Sequence, residues 1–230
     1  DCRSVQLSGY KKTGIYPIWL QKGYRFVHIS CDMDTIRTQV NTTGWIILQQ
    51  RINGNINFQR GWLNYVEGFG NPNEDYWVGL ENIVSLSRQK TVVLRSDLRS
   101  VRPVLRVDLT GWDGFKAYAE YDSFALYEEK HHYQLASLQR GVGTAVYPRF
   151  LSVFLSVEFI TFDNINNGIT FAPNCPSPQN GGWWYSLCSY ANLNGKYPGP
   201  TDKMSIHNIY WLYWSTINKK NTALRYVSMK

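Results

Sequence analysis

Gly181-Gly182-Trp183-Trp184-Tyr185, then Cys188, then Asn192-Leu193-Asn194-Gly195 and Tyr197: this stretch decides the fold of the chain. Three consecutive rings between a glycine pair and an Asn/Gly run need a packed interior or a partner surface. Core packing is the reading adopted for the two tryptophans. The stretch sits in a segment, from Phe171 onward, dense in Asn, Gly, Pro and Ser. Such a loop-rich region carries binding residues in front of a stiffer scaffold.

Cys175 and Cys188 bracket the aromatic triplet, and Cys2 and Cys31 lie near the start. Four cysteines allow three connectivities, of which pairing by neighbourhood is the simplest. There is no C-x-x-C and no nearby His pair, so tetrahedral zinc spacing is absent. The sequon Asn41-Thr42-Thr43 joins the cysteines in pointing to an oxidising, secreted context.

The 230 residues are 43 % hydrophobic and 18 % charged, with nine Trp, sixteen Tyr and ten Phe. That composition excludes a disordered tail and a fibrous protein. No run of eighteen apolar residues exists, so no membrane span is expected. The chain opens on Asp1 and Cys2 and reads as a mature or trimmed segment. A net charge of +7 favours acidic surfaces such as sulfated glycans, but it is too diffuse to demand nucleic acid.

Strand signals dominate. Gly44 to Gln49 is rich in β-formers and leads to Asn53-Gly54, a hairpin turn signal. Ala117 to Tyr121 alternates as a half-buried strand does. Short helices are predicted around Trp62 to Tyr65 and Asn82 to Leu86. Val93 to Leu98 returns as Val104 to Leu109, and Pro103 makes two short strands the better reading of this echo. Arg95, Arg99, Arg102 and Arg106 crowd there, either as a solvated charged face or as an anion-binding patch. Phe150 to Phe162 is apolar, and burial as a strand is the default.

The search for catalytic motifs is negative. There is no G-x-S-x-G, H-E-x-x-H, P-loop or G-x-G-x-x-G. His131 and His132 are adjacent and would point to opposite faces of a strand. Asp163-Asn164-Ile165-Asn166-Asn167-Gly168 resembles a metal loop. Calcium wants six to eight oxygens, preferably charged, and a single Asp predicts weak binding or none.

Taken in order, these strings resemble the fibrinogen-related domain, the C-terminal globular module of fibrinogen chains, ficolins, tachylectins and angiopoietin-like proteins. Cys31-Asp32-Met33-Asp34-Thr35 is similar to the family's C-D-M-x-T signature. Gly44-Trp45, Gln49-Gln50-Arg51, Asn53-Gly54, Trp62, Gly68-Phe69-Gly70 and Tyr76-Trp77-Val78-Gly79 follow. The Trp183 block, Trp211, Trp214 and Met229-Lys230 close it. The resemblance covers the whole chain and implies one α+β domain over 1–230: a central twisted antiparallel sheet with short helices. Subdomains are expected at about 1–43 (N-terminal), 44–150 (central sheet), 151–221 (loop-rich ligand region) and 222–230 (a strand returning to the sheet). It also implies the disulfides Cys2–Cys31 and Cys175–Cys188.

The departures fall where family function sits. The resemblance implies a calcium loop like D-x-D-N-D, in which the two later Asp supply carboxylates. Aligned on Asp163, these are Ile165 and Asn167, so no tight calcium site and no cofactor are expected. In the lectin-like members an acetyl group sits among aromatic walls; the matching positions here are Gln179, Ser189 and Ser205. Tyr185, Tyr190 and Tyr210 are the residues left to rebuild a pocket. The expectation is a secreted, non-catalytic module binding a protein receptor or matrix partner, oligomeric in the full-length protein through a preceding region. The alternative is an innate-immunity lectin with an altered pocket for acetylated or other glycans, including sulfated polysaccharide.

Overall fold

The computed structural model describes residues 1–38, 42–88, 103–139, 141–146, 156–165, 171, 175–186 and 189–230. At the start, helix α1 (Cys2–Leu7) is capped by Asp1, whose carboxylate accepts the Ser4 amide at 2.8 Å. Strands β1 (Gly14–Leu20) and β2 (Arg25–Asp32) form a hairpin that β3 (Trp45–Ile46) extends. Pro17 lies on β1, the edge strand, where its missing N–H costs the ladder nothing. The expected Cys2–Cys31 disulfide forms, with both residues fully buried, and ties α1 to β2. Replacing both cysteines by Ser should lower unfolding free energy by about 2–4 kcal/mol. Urea melts of the variant and the parent check this; equal midpoints would contradict it.

The central sheet begins with β4 (Gln49–Arg51). Helix α2 (Trp62–Glu67) follows, then β5 (Phe69–Gly70), β6 (Tyr76–Trp77) and helix α3 (Leu80–Arg88). Strands β7 (Leu105–Gly111) and β8 (Lys116–Tyr121) come next, then a small pair, β9 (Ala125–Leu126) with β10 (Leu135–Ser137), and β11 (Gly141–Val142). The loop-rich part contributes the pair β12 (Phe159–Ile160) and β13 (Trp183–Trp184) and the pair β14 (Ala191–Asn192) and β15 (Tyr210–Trp211). Helix α4 (Trp214–Ile217) leads to β16 (Leu224–Met229). Among the described residues the main sheet has the order β11-β8-β7-β16-β4-β6-β5, all pairs antiparallel. The last strand therefore returns to the middle of the sheet.

Alternation decides which face of this sheet is which. Leu105, Val107, Leu109, Ala117, Ala119, Tyr121, Val227 and Met229 are buried on one face. Val107 and Met229 meet Trp183, Trp184 and Trp211 across a void of only about 30 Å³. Trp184 also packs on Phe159 at 5.0 Å and Trp77 at 6.3 Å, and Tyr65 of α2 closes on both at 5.2 and 5.6 Å. Edge-on and tilted ring pairs of this kind add about 0.5–1.5 kcal/mol each beyond burial. The opposite face is polar. Across it run the row Gln50, Ser228, Asp108, Tyr118 and the row Arg106, Glu120.

Three expectations change. The helices extend a little further, to Trp62–Glu67 and Leu80–Arg88. Asn53-Gly54 is not a two-residue hairpin turn, because β4 pairs with β6 and β16 and no strand follows directly. Instead Ile52, Asn53 and Gly54 aim three successive N–H groups at the buried Asp75 carboxylate. Gly54 has φ +75°, and a Cβ there would stand 2.6 Å from the Tyr197 ring. Arg106 is not part of a free anion patch. It is buried, and its guanidinium holds Glu120 at 2.6 Å and Asp108 at 2.9 Å. Arg95, Arg99 and Arg102, and the first copy of the echo, lie outside the described residues; the second copy is β7. Of Phe150 to Phe162, the described part contains β12 as a buried strand.

Candidate recognition surface

Two side chains of β4 fasten the scaffold to the loop-rich region. Residues 49 and 51 point to the same face. Gln49 donates to the Leu193 carbonyl at 2.9 Å and to Asn194 Oδ1 at 3.1 Å. Arg51 donates to the Gly195 carbonyl at 2.7 Å and stacks over Phe58 at 3.9 Å. The Asn192-Leu193-Asn194-Gly195 run is thus buried and hydrogen-bonded from behind. Asn194 Nδ2 donates to the Gly182 carbonyl at 2.9 Å, which fixes the glycine pair before the tryptophans.

This bracing internalises part of the expected pocket. Tyr185 is fully buried; its hydroxyl donates to the Gly181 carbonyl at 2.6 Å and accepts from Asn192 at 2.8 Å. Burial pushes its phenol well above the ordinary range. Ser189 is buried, and its hydroxyl donates to the Ala191 carbonyl at 2.7 Å. Neither is therefore available to a ligand. Gln179 is exposed on a short turn, Pro178–Asn180. Ser205 is half-buried and accepts the His207 amide at 3.3 Å. Asn180 and His207 Nδ1 stand 3.2 Å apart, so the Gln179 and Ser205 loops adjoin. Tyr190 and Tyr210 are half-buried, Tyr190 packed against the core. Trp183 and Trp184 are core residues, as expected.

The degenerate metal loop follows β12. Asp163 faces the start of α2: its carboxylate accepts the Trp62 amide at 2.9 Å and the Thr161 hydroxyl at 2.6 Å. Gly61 permits the approach, since a Cβ there would stand 2.3 Å from an Asp163 oxygen. On either side, Phe162 is 42 % and Ile165 44 % exposed. Asn167 lies outside the described residues, as do Asn41 and Cys188. Cys175 is disulfide-bonded.

Sequence reasoning missed a cleft of about 450 Å³ on the polar face of the main sheet. Lys230 forms part of its floor, with Nζ at 2.6 Å from Asp32, 2.7 Å from Asp108 and 2.9 Å from the Thr35 hydroxyl. Burial raises the Asp32 carboxyl, but the Lys230 ammonium and the hydrogen bonds from Lys230 and Thr35 outweigh it and hold the group near 2. The Thr38 hydroxyl reaches Glu120 at 3.1 Å, so the N-terminal part docks on the same polar face. Asp32 and Thr35 inside the C-D-M-x-T string and Lys230 at the closing Met229-Lys230 lie in motifs the sequence shows, but nothing local in it joins them into a cleft.

The family model for fibrinogen beta and gamma chains, C-terminal globular domain, matches residues 1–230. The protein is 34 % identical to human Angiopoietin-1 over 215 residues and 32 % identical to human Angiopoietin-4 over the same length. Each match covers 93 % of this chain but 39 % of the relative, so the chain spans about two fifths of the curated relatives it matches. In structure it resembles the fibrinogen-like globe domain of human ANGPTL2, at 30 % identity and TM-score 0.78, covering 100 % of this chain and 96 % of that one. It also resembles lamprey fibrin D-dimer complexed with the peptide ligand Gly-His-Arg-Pro-amide, at 26 % identity and TM-score 0.73, covering 100 % of this chain and 71 % of that one. With an antiparallel main sheet, the Cys2–Cys31 bridge and the braced Trp183 block in place, the chain belongs to the family of fibrinogen C-terminal globular domains.

Proposed function

We propose that the protein is a secreted, non-catalytic recognition module that binds a protein receptor or matrix partner through its loop-rich C-terminal region. The observation that carries this reading is the loop after β12. It presents Phe162 and Ile165 to solvent, while the Asp163 between them spends its carboxylate on the Trp62 amide and the Thr161 hydroxyl. Large apolar side chains on a braced loop suit a protein partner that covers them. They do not suit a divalent cation, which needs a shell of oxygens. The buried, internally bonded Tyr185 and Ser189 support the same reading, because an acetyl group would find neither wall. The lamprey relative supports it too, since its ligand is a peptide. The disulfides fit an oxidising compartment. A preceding region of the full-length protein would add avidity by oligomerising this domain.

The test has two arms. Thermal unfolding is followed with calcium, with chelator, and with calcium plus N-acetylglucosamine; the midpoint should not move, because a compound that does not bind the native state does not stabilise it. The labelled domain should bind intact cells in a protease-sensitive manner, and Ile165→Asp should weaken that binding about tenfold or more. A calcium-dependent rise that grows with the sugar would overturn the receptor reading and make the protein a lectin. So would cell binding that survives protease but is lost after glycosidase treatment.

A further inference from the structure

The cleft on the polar face of the main sheet is built from elements other than the Phe162–Ile165 loop, and the receptor reading leaves it without an occupant. Its mouth carries two exposed cations, Lys116 of β8 and Arg225 of β16. Among the described residues neither is paired with a carboxylate, whereas Arg106 and Lys230 deeper in are each held by two. The pairing register explains how both cations come to one cleft. Lys116 stands opposite Thr110, and Thr110 stands opposite Tyr226. The ladder slips between Leu224 and Tyr226, leaving Arg225 as the extra residue of a bulge. A bulge re-aims a side chain that regular alternation would send to the other face. Here Arg225 and its neighbour Tyr226 both line the cleft, and the guanidinium rests 5.5 Å over the Trp112 ring. The two cations therefore flank Thr110 across two strand spacings, roughly 10 Å of backbone that their side chains can close.

The interior asks for a different chemistry. The oxygens of Asp32 are filled by the amides of Asp34 and Thr35, the Thr35 hydroxyl and Lys230, so the polar groups left on the cleft wall are the hydroxyls of Thr110 and Tyr226. A ligand matching both zones carries an anionic group for the mouth and hydroxyl groups for the Thr110 and Tyr226 wall. The volume of about 450 Å³ falls within the range of small-ligand sites. We propose that this cleft binds an anionic saccharide unit, with a sulfate or carboxylate held between Lys116 and Arg225 and its hydroxyls turned to Thr110 and Tyr226.

The experiment is titration calorimetry of the oxidised protein with three probes: a fully sulfated heparin tetrasaccharide, the same tetrasaccharide desulfated, and inorganic sulfate at matched sulfate concentration. The sulfated tetrasaccharide should bind, and more weakly as ionic strength rises from about 0.05 to about 0.3 M. The desulfated sugar should lose the mouth contacts, and free sulfate should lack the wall contacts, so both should bind at least about tenfold more weakly. The double variant Lys116→Gln/Arg225→Gln should weaken the sulfated probe about tenfold or more with an unchanged melting point, since both residues are exposed. Lys130→Gln/Lys196→Gln removes the same charge from exposed positions that line no part of the cleft and should change affinity less than about twofold. The proposal fails if the sulfated tetrasaccharide does not bind, or if the two double variants lose affinity equally, which would mean that the net charge alone attracts it. Equal binding of free sulfate would also overturn it, by showing an anion site without saccharide recognition.

Discussion

Asp75→Asn should destabilise the protein by about 3–5 kcal/mol, the range for removing one partner of a buried ion pair. Asp75 is fully buried, and its carboxylate answers the N–H groups of Ile52, Asn53 and Gly54. Arg51 Nε lies 3.9 Å away and is itself 1 % exposed. Burial lowers the Arg51 guanidinium to about 10, against the opposing pull of Asp75, so the residue is still charged near neutral pH. An amide in place of the carboxylate keeps the volume, leaves that charge without a counter-ion, and sets an N–H₂ group against the Gly54 N–H or against those of Ile52 and Asn53. Urea unfolding at neutral pH measures the loss. Arg51→Met is informative beside it, since it orphans the Gly195 carbonyl but leaves the Asp75 carboxylate with its three amides. The double variant should therefore cost clearly less than the sum of the singles, a coupling expected of residues in contact. Additive losses would show that the pair does not act as a unit.

The same substitution bears on recognition. Arg51 and Gln49 hold the Leu193–Gly195 backbone from behind, and Asn194 in turn holds Gly182 beside Trp183. Loosening Arg51 thus reaches the loop-rich region through one continuous set of hydrogen bonds. Gln49-Gln50-Arg51 and Asn192-Leu193-Asn194-Gly195 stand far apart along the sequence, yet the two motifs are halves of one contact.

That contact shows where the sequence was legible and where it was not. The strand Ala117 to Tyr121 and the core role of Trp183 and Trp184 follow from alternation and ring size, which are local properties. Cys2 and Cys31 pair by neighbourhood. Asn53-Gly54 carries the composition of a hairpin turn, but no strand lies directly beyond it, and a carboxylate from position 75 collects its amides instead. Arg106 looked like one member of a basic cluster, because the two acids that neutralise it arrive from the same and the adjacent strand of a sheet whose register the sequence does not print. Arg225 reaches the cleft only through a bulge. At the candidate site, the loss of the second acidic position to Ile165 was readable, whereas the capping of α2 by Asp163 depends on a long-range contact between residues 62 and 163.

Lys230→Met should also cost about 3–5 kcal/mol at neutral pH, and its acid dependence separates ionic from packing effects. Lys230 is 6 % exposed and joins β16 to Asp32 of β2, 198 positions away in sequence, and to Asp108 of β7. Without the ammonium, Asp32 has no cation within ion-pairing distance among the described residues, and Asp108 retains only Arg106. In the parent, Asp32 is held near 2 against an ordinary value of 3.8. A depressed carboxylate contributes stability that is present in full above the ordinary value and is lost as pH falls through the folded one. The parent should therefore lose about 1–2 kcal/mol from this group between roughly pH 4 and pH 2, less than the full shift implies because one side of the carboxylate faces the open cleft. In Lys230→Met only the Thr35 hydrogen bonds oppose burial, the depression of the Asp32 carboxyl shrinks, and acid harms the variant less than the parent. Urea melts at about pH 6, 4 and 2.5 should show the gap between the two proteins narrowing as pH falls. A gap that stays constant would mean that Lys230 acts by packing its methylene groups, and that the ammonium does not secure the last strand to the N-terminal hairpin.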